Sequence, residues 1–463
     1  MLIIIWLAAL AGSGSYALAA SAQPAEVDSL TTPRSSYTTS AWGDIPAPAD
    51  SVTAAFANRR RSTWEWPLYV PYAAINYPLR WVREGFGKGV AWADSRNLFR
   101  YLSLVPTPRG IVPSIAWSSQ EGLGLGLNFY VPAGFPNSLA RIRGMYSTKK
   151  WQKYTAGAIF NKDGRWSAQV GAGYKLMPNL EVYGVGPNTT ADGLAYYKDE
   201  RVWAGVIVRR RFFENQFVAL TGTYSSIDAR LPESGYYPTV PEKYGDNVPG
   251  FGETSNGILA RLAWFYNTTA ETGDPQRGTL AGVTVGGFAA TNTNDVSFTA
   301  YRFELQQFFP LWFTGRALAF RGYFNFIDDT GNAQIPFQRM FINEIPDMFR
   351  AFDSGRWRDL GITGVDLEYR FPFIADKRKG GFGIDAALLT DIGQVFSERS
   401  ELQIDNLTYS YGFGFRAFMN HFYIGNMEFV WGDEGFQFRL STKQLFQYSR
   451  DVLFQGREET LIH

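Results

Sequence analysis

Histidine and cysteine offer this chain little chemistry: its 463 residues include two His, His421 and His463, and no Cys. A transition-metal site needs several such ligands converging. A hydrolase acting on membrane lipid needs a Ser–His pair near the lipid it attacks. His463 is terminal, and His421 sits in Asn420-His421-Phe422, at a turn expected on the inner side of the membrane. No enzymatic activity, metal or cofactor is expected. Without Cys there are no disulfides. The basic runs Arg209-Arg210-Arg211 and Lys377-Arg378-Lys379 fall near predicted turns and read as solvated end charges, with binding of anionic groups as the alternative. With 44 Lys+Arg against 43 Asp+Glu there is no basic excess to hold a nucleic acid. Asn188-Thr189-Thr190 matches a glycosylation acceptor pattern and reads as loop chemistry only. The segment 122–131 (GLGLGLNFYV) is tempting as a phosphate cradle. Such cradles lead into a helix and do not alternate Gly with Leu.

That alternation is the dominant signal in the chain. Leu123, Leu125, Leu127, Phe129 and Val131 share one face of a strand, with Gly and polar residues on the other. The pattern returns at 166–174, 258–266, 365–371 and 436–441. Charged residues punctuate the second face, such as Arg261, Asp366, Glu368, Arg370 and Arg439. In a sandwich the charged face meets water; in a membrane barrel the apolar face meets lipid and the charged face a wet lumen. Aromatic residues at strand ends, as in Trp166/Tyr174 and Trp264/Tyr266, decide for the barrel, because such girdles mark the two membrane interfaces.

Strands are predicted at 110–118, 122–132, 137–147, 150–161, 164–174, 199–212, 215–228, 254–268, 279–291, 294–309, 313–325, 361–371, 381–390, 405–416, 423–433 and 436–446. The fold expected is all-β: a sixteen-stranded antiparallel transmembrane β-barrel with a short N-terminal helical segment. The long gaps, 175–198, 229–253, 326–360 and 391–404, all follow odd-numbered strands. A periplasmic N-terminus then puts every long loop outside, the asymmetry typical of outer-membrane barrels. Residues 1–22 read as a signal peptide, with an apolar start and A-x-A-like sites at 17–19 and 20–22. Residues 23–65, rich in Ser, Thr, Ala and Pro, read as a flexible periplasmic leader, 66–108 as an amphipathic helical segment, 109–446 as the barrel and 447–463 as a C-terminal tail.

Strand parity also places chemistry. Val365, Leu367, Tyr369 and Phe371 claim the lipid face, so Glu368 points inward; Ile384, Ala386 and Leu388 do the same for the next strand, so Asp385 and Asp391 point inward. Two carboxylates on adjacent strands therefore face one lumen.

At this point the chain resembles the bacterial surface antigen superfamily, whose members include barrel-assembly insertases and two-partner-secretion translocators. The residues that carry the resemblance are Met348-Phe349-Arg350-Ala351-Phe352 in the loop after the eleventh strand, Glu368-Tyr369-Arg370-Phe371 on the twelfth, Thr390-Asp391-Ile392-Gly393 on the thirteenth, and the turn Pro275-Gln276-Arg277-Gly278 near the ninth. The resemblance implies a sixth outer loop folded into the lumen, with Arg350 at its tip, where a guanidinium fork suits Glu368 and Asp391. Ala351 stands where the family motif has Gly, which is expected to alter the tight turn. No periplasmic POTRA domain of the family is expected in the stretch before the first strand, much of which is low-complexity. The function implied is assistance to protein or lipid translocation or insertion at the bacterial outer membrane, by a monomeric barrel. Its partners are then membrane lipids and a polypeptide or lipid client. A passive or plugged channel is the alternative.

Overall fold

The computed structural model describes residues 110–118, 121–162, 164–233, 235–269, 275–292, 295–311, 316–343, 348–374, 382–419 and 422–441. The signal peptide, leader, N-terminal helical segment and C-terminal tail lie outside them, as do His421, His463 and the 377–379 basic run. The described residues form one antiparallel sheet of sixteen strands, each paired with its neighbour in chain order. These are β1 (Gly110–Ser118), β2 (Gly122–Pro132), β3 (Leu139–Ser147), β4 (Gln152–Phe160), β5 (Trp166–Val182), β6 (Ala195–Phe213), β7 (Gln216–Arg230), β8 (Thr254–Asn267), β9 (Gly278–Ala290), β10 (Ser297–Pro310) and β11 (Ala317–Asp329). They continue, after a loop carrying the two-residue ladder β12 (Phe341–Ile342) and β13 (Arg358–Asp359), with β14 (Gly361–Ile374), β15 (Phe382–Phe396), β16 (Thr408–Met419), β17 (Phe422–Gly432) and β18 (Gly435–Ser441). Among the described residues the edge strands β1 and β18 share no ladder.

The strands bury the face a soluble protein would expose. On β2, Leu123, Leu125, Leu127, Phe129 and Val131 are exposed, while Asn128 and Tyr130 are buried. Buried charge recurs around the sheet in Arg141, Arg201, Arg261, Arg321 and Arg416. So much exposed apolar surface marks a face built for an apolar solvent. Aromatic pairs terminate it: Tyr154 stacks on Tyr174 at one end, and Trp264 on Tyr266 at the other.

Several strands outrun their expected ends, β5 and β15 the furthest. β5 continues from 174 to Val182, and β15 from 390 to Phe396. Pro178 has no backbone N–H to donate, yet the β5–β6 ladder resumes beyond it, because a bulge between Met177 and Leu180 skips that position. The expected gap after the fifth strand therefore contains paired strand, and the loop proper is 183–194.

The connection 330–360 does not lie outside the sheet. Its Arg339 reaches β7 and β8 through Ser225 and Ser255. Its Arg358 reaches β6 through Tyr197, and its Arg350 reaches β14, β15 and β17. One loop touching strands so far apart in the sheet requires that the polar face curl around it. The enclosed core includes Phe337, Phe341, Phe349 and Phe352 from the loop, packed with Val182, Tyr197, Phe288, Phe298 and Val430 from the wall.

Candidate functional site

The structure brings Arg350, Glu368 and Asp391 together. The Arg350 side chain is 0% exposed. Its Nε donates to Asp391 Oδ1 and Oδ2, each at 3.0 Å, and its Nη2 donates to Oδ1 of the same carboxylate. The Arg350 main-chain N–H adds a bond to Asp391 Oδ2 at 3.1 Å. Nη1 donates to Glu368 Oε1, and Glu428 Oε1 lies 3.5 Å from the same nitrogen. Side-on engagement of one carboxylate and end-on engagement of a second uses the planar fork fully. Burial by itself lowers the affinity of this guanidinium for its proton. The Asp391, Glu368 and Glu428 carboxylates more than reverse that, and hold Arg350 charged well above the usual arginine value.

The wall explains why a cation is needed. Asp366 and Asp391 are register partners on β14 and β15, so two carboxylates sit directly opposite each other on the enclosed face. Like charges so placed repel. Arg321 on β11 takes Asp366, with Nη1 3.2 Å from Oδ2, while Arg350 takes Asp391. Arg370 Nε donates to Glu368 Oε2 at 2.9 Å. The loop arginine thus completes a wall that is acidic at this level.

The tip is shaped to deliver it. The left-handed residue in the turn is Phe349, at φ 51°, and Ala351 is not among the positive-φ residues. The alanine in place of glycine therefore does not strain the turn, contrary to the expectation from the motif. Its amide donates to Ser410 Oγ on β16 at 3.0 Å. Gly393 explains the small residue two positions after Asp391: a Cβ there would lie 2.6 Å from the Phe349 ring and 2.3 Å from the Thr363 carbonyl oxygen. Below the tip, Arg439 on β18 donates to the Arg350 carbonyl at 2.9 Å.

The loop has further holdfasts that sequence reasoning did not single out. Arg339 is buried, donating to Ser255 Oγ at 3.0 Å and lying 4.6 Å from the Phe288 ring centroid. Burial, then the nearby Arg201 guanidinium, pull its proton affinity down. Arg356 bonds Glu434 in the β17–β18 turn and Thr189 in the β5–β6 loop. Asn343 clamps the neck, donating to the Asp353 carbonyl and accepting from the Trp357 N–H. No group of three or more His, Cys, Asp or Glu suited to a metal occurs among the described residues.

With this geometry in hand, comparison with known proteins is decisive on family. The Omp85 superfamily domain matches residues 122–441, from β2 through β18. The chain belongs to the Omp85 superfamily. Among solved structures, the Omp85 domain is similar to BamA from Haemophilus ducreyi lacking POTRA domains 1–3, at 16% identity and TM-score 0.49, covering 71% of this chain and 66% of that one. It is also similar to CdiB from Acinetobacter baumannii, at 10% identity and TM-score 0.44, covering 68% and 54%. CdiB from Escherichia coli follows at 9% identity and TM-score 0.44, covering 72% and 60%. The chain thus spans less than two thirds of the length of these neighbours. No curated protein matches it in sequence. The superfamily is one of bacterial outer-membrane β-barrels.

Proposed function

We propose that this Omp85 protein is a sixteen-stranded barrel spanning the bacterial outer membrane, and that it assists the passage of a polypeptide or lipid client across that membrane or into it. Loop 330–360 acts as its internal lock. The observation that carries the reading is the fully buried Arg350, held between Asp391, Glu368 and Glu428 on a loop packed against the enclosed face of the wall. A static wall needs no charge-matched strap. A strap whose tip is fixed by a few ion pairs has two definable states, seated and released, and release opens a path for a client. The exposed Leu, Val and Phe rows and their aromatic ends support membrane residence. The second reading, a plugged structural barrel, is favoured by the burial of Phe341 and Phe352 in the enclosed apolar core, which requires no release.

Conductance of the purified protein in planar bilayers tests the lock. The intact protein is expected to conduct little, and removal of 330–360, or Arg350→Ala, to raise ion conductance. Equal conductance in all three means that the loop does not occlude a pore.

A further inference from the structure

The run Arg209-Arg210-Arg211 lies at the turn end of β6, and the strand splits it. Arg209 and Arg211 fall on the enclosed parity, whereas Arg210 follows Val202, Ala204, Val206 and Val208 along the outer face and is exposed. The cation lies near the end of this apolar, outward-facing row, with Phe212 beyond it, at a depth where a charge on the lipid face costs little.

Its surroundings are specific. Trp166 is the register partner of Arg210 on β5, and Val218 its partner on β7. The guanidinium carbon lies 5.0 Å from the Trp166 ring centroid and 4.8 Å from that of Phe212. Both rings are about half exposed, at 54% and 53%, and Phe213 beside them is exposed further. Among the described residues Arg210 has no ion-pair partner, and its outer-face neighbours Val208, Ala168, Val218 and Leu220 are all apolar. Two rings therefore flank the guanidinium at cation–π distance. The apolar row leads from it along the strand for the length of an acyl chain.

We propose that Arg210, Trp166 and Phe212 form a binding site for the phosphodiester headgroup of a glycerophospholipid in the leaflet at the short-turn end of the barrel. The inference rests on the membrane-barrel reading. The guanidinium edge meets two phosphate oxygens. The indole and phenyl rings occupy the interfacial layer that aromatic side chains prefer. The acyl chains lie along Val208, Val206 and Val202. The occupant is a lipid and not a soluble anion because three sides of the site are apolar and open toward the hydrocarbon.

The test is native mass spectrometry of the full protein in non-ionic detergent with added dioleoylphosphatidylglycerol. Dioleoylglycerol and inorganic phosphate are run separately. The unaltered protein is expected to retain one more phosphatidylglycerol than Arg210→Gln at matched lipid. Arg210→Gln should bind it about fivefold more weakly, the scale of one cation beside an anionic lipid surface. Arg210→Lys should recover part of the binding and Trp166→Leu should lose part of it. Equal retention by the unaltered protein and Arg210→Gln overturns the site. Displacement of the lipid by inorganic phosphate makes it a soluble-anion site and overturns the lipid assignment, and an equal Arg210 dependence for dioleoylglycerol overturns the role of the phosphate. Insertion into vesicles and heat-modifiable gel mobility are measured on the same variants. If the unaltered protein shows neither, the membrane reading fails; if it shows both and retention is unchanged, this inference alone fails.

Discussion

Arg350 occupies a position where one side chain answers for three carboxylates. Truncating one partner of a buried pair typically costs about 3–5 kcal/mol, because the other is left charged and unpaired. Arg350→Ala is accordingly expected to destabilise the protein by about that much and to expose the loop tip to protease. Arg350→Lys should recover only part, since an ammonium cannot fork to Asp391 and Glu368 together. Asp391→Asn should cost less in the Arg350→Ala background than in the unaltered protein. Thermal denaturation of the two single variants and the double one measures the coupling, and strictly additive effects would mean that the two side chains do not act as a pair. Glu368 and Asp391 are legible from alternation, because Val365, Leu367, Tyr369 and Phe371 on one strand and Ile384, Ala386 and Leu388 on the next form apolar rows of the opposite parity. Glu428 obeys the same rule: Asn426, Glu428 and Val430 are buried between the more exposed Met427, Phe429 and Trp431. Its row is short and interrupted by Gly425 and by the register shift at Ala417/Phe418, so the alternation is weaker there. Asp366 shows the limit of parity, which puts it inward but cannot reveal that its register partner is Asp391.

At the scale of elements, the β11–β14 connection is a loop in sequence and a core element in space. Its length and Arg-bearing tip are visible in the chain. Its other holdfasts are not, because Arg339, Arg356 and Arg358 lie in a stretch with no periodicity, and their partners come from β7, β8, the β17–β18 turn and β6. At the loop base, Asp359 in β13 accepts hydrogen bonds from the Leu360 N–H at 2.7 Å and from Ser397 Oγ at 2.8 Å, while its Oδ2 has no hydrogen-bond partner. Burial, reinforced by Glu401 and opposed by those two bonds, pushes its carboxyl up to about 6. A carboxyl raised above its unfolded value near 4 adds stability that is fully present below about pH 4. That contribution is lost as pH rises through about 6. The unaltered protein should therefore lose more thermal stability between pH 4 and pH 7 than Asp359→Asn does, and identical pH profiles would show that Asp359 does not titrate in this window.

For the whole molecule, exposed apolar rows outside and paired charge inside describe a protein folded for two solvents at once. Alternation and the placement of long gaps make the strand order readable, because each strand must satisfy both faces independently. Strand ends are less readable: the bulge past Pro178 depends on what β6 offers across the ladder, which β5 alone does not reveal. In the proposed function, the loop seated against the inner wall is what holds the assembly in one state. The chain has no cysteine, so an introduced pair would supply its only thiols. The Ala351 amide lies 3.0 Å from Ser410 Oγ, which makes Ala351→Cys with Ser410→Cys the direct probe. In membranes under mild oxidation the pair is expected to cross-link to completion, changing gel mobility without reductant, while each single variant stays monomeric and resists a maleimide reagent added from either side. Two free thiols that react readily with the reagent and never cross-link would place the loop outside the lumen and contradict the account.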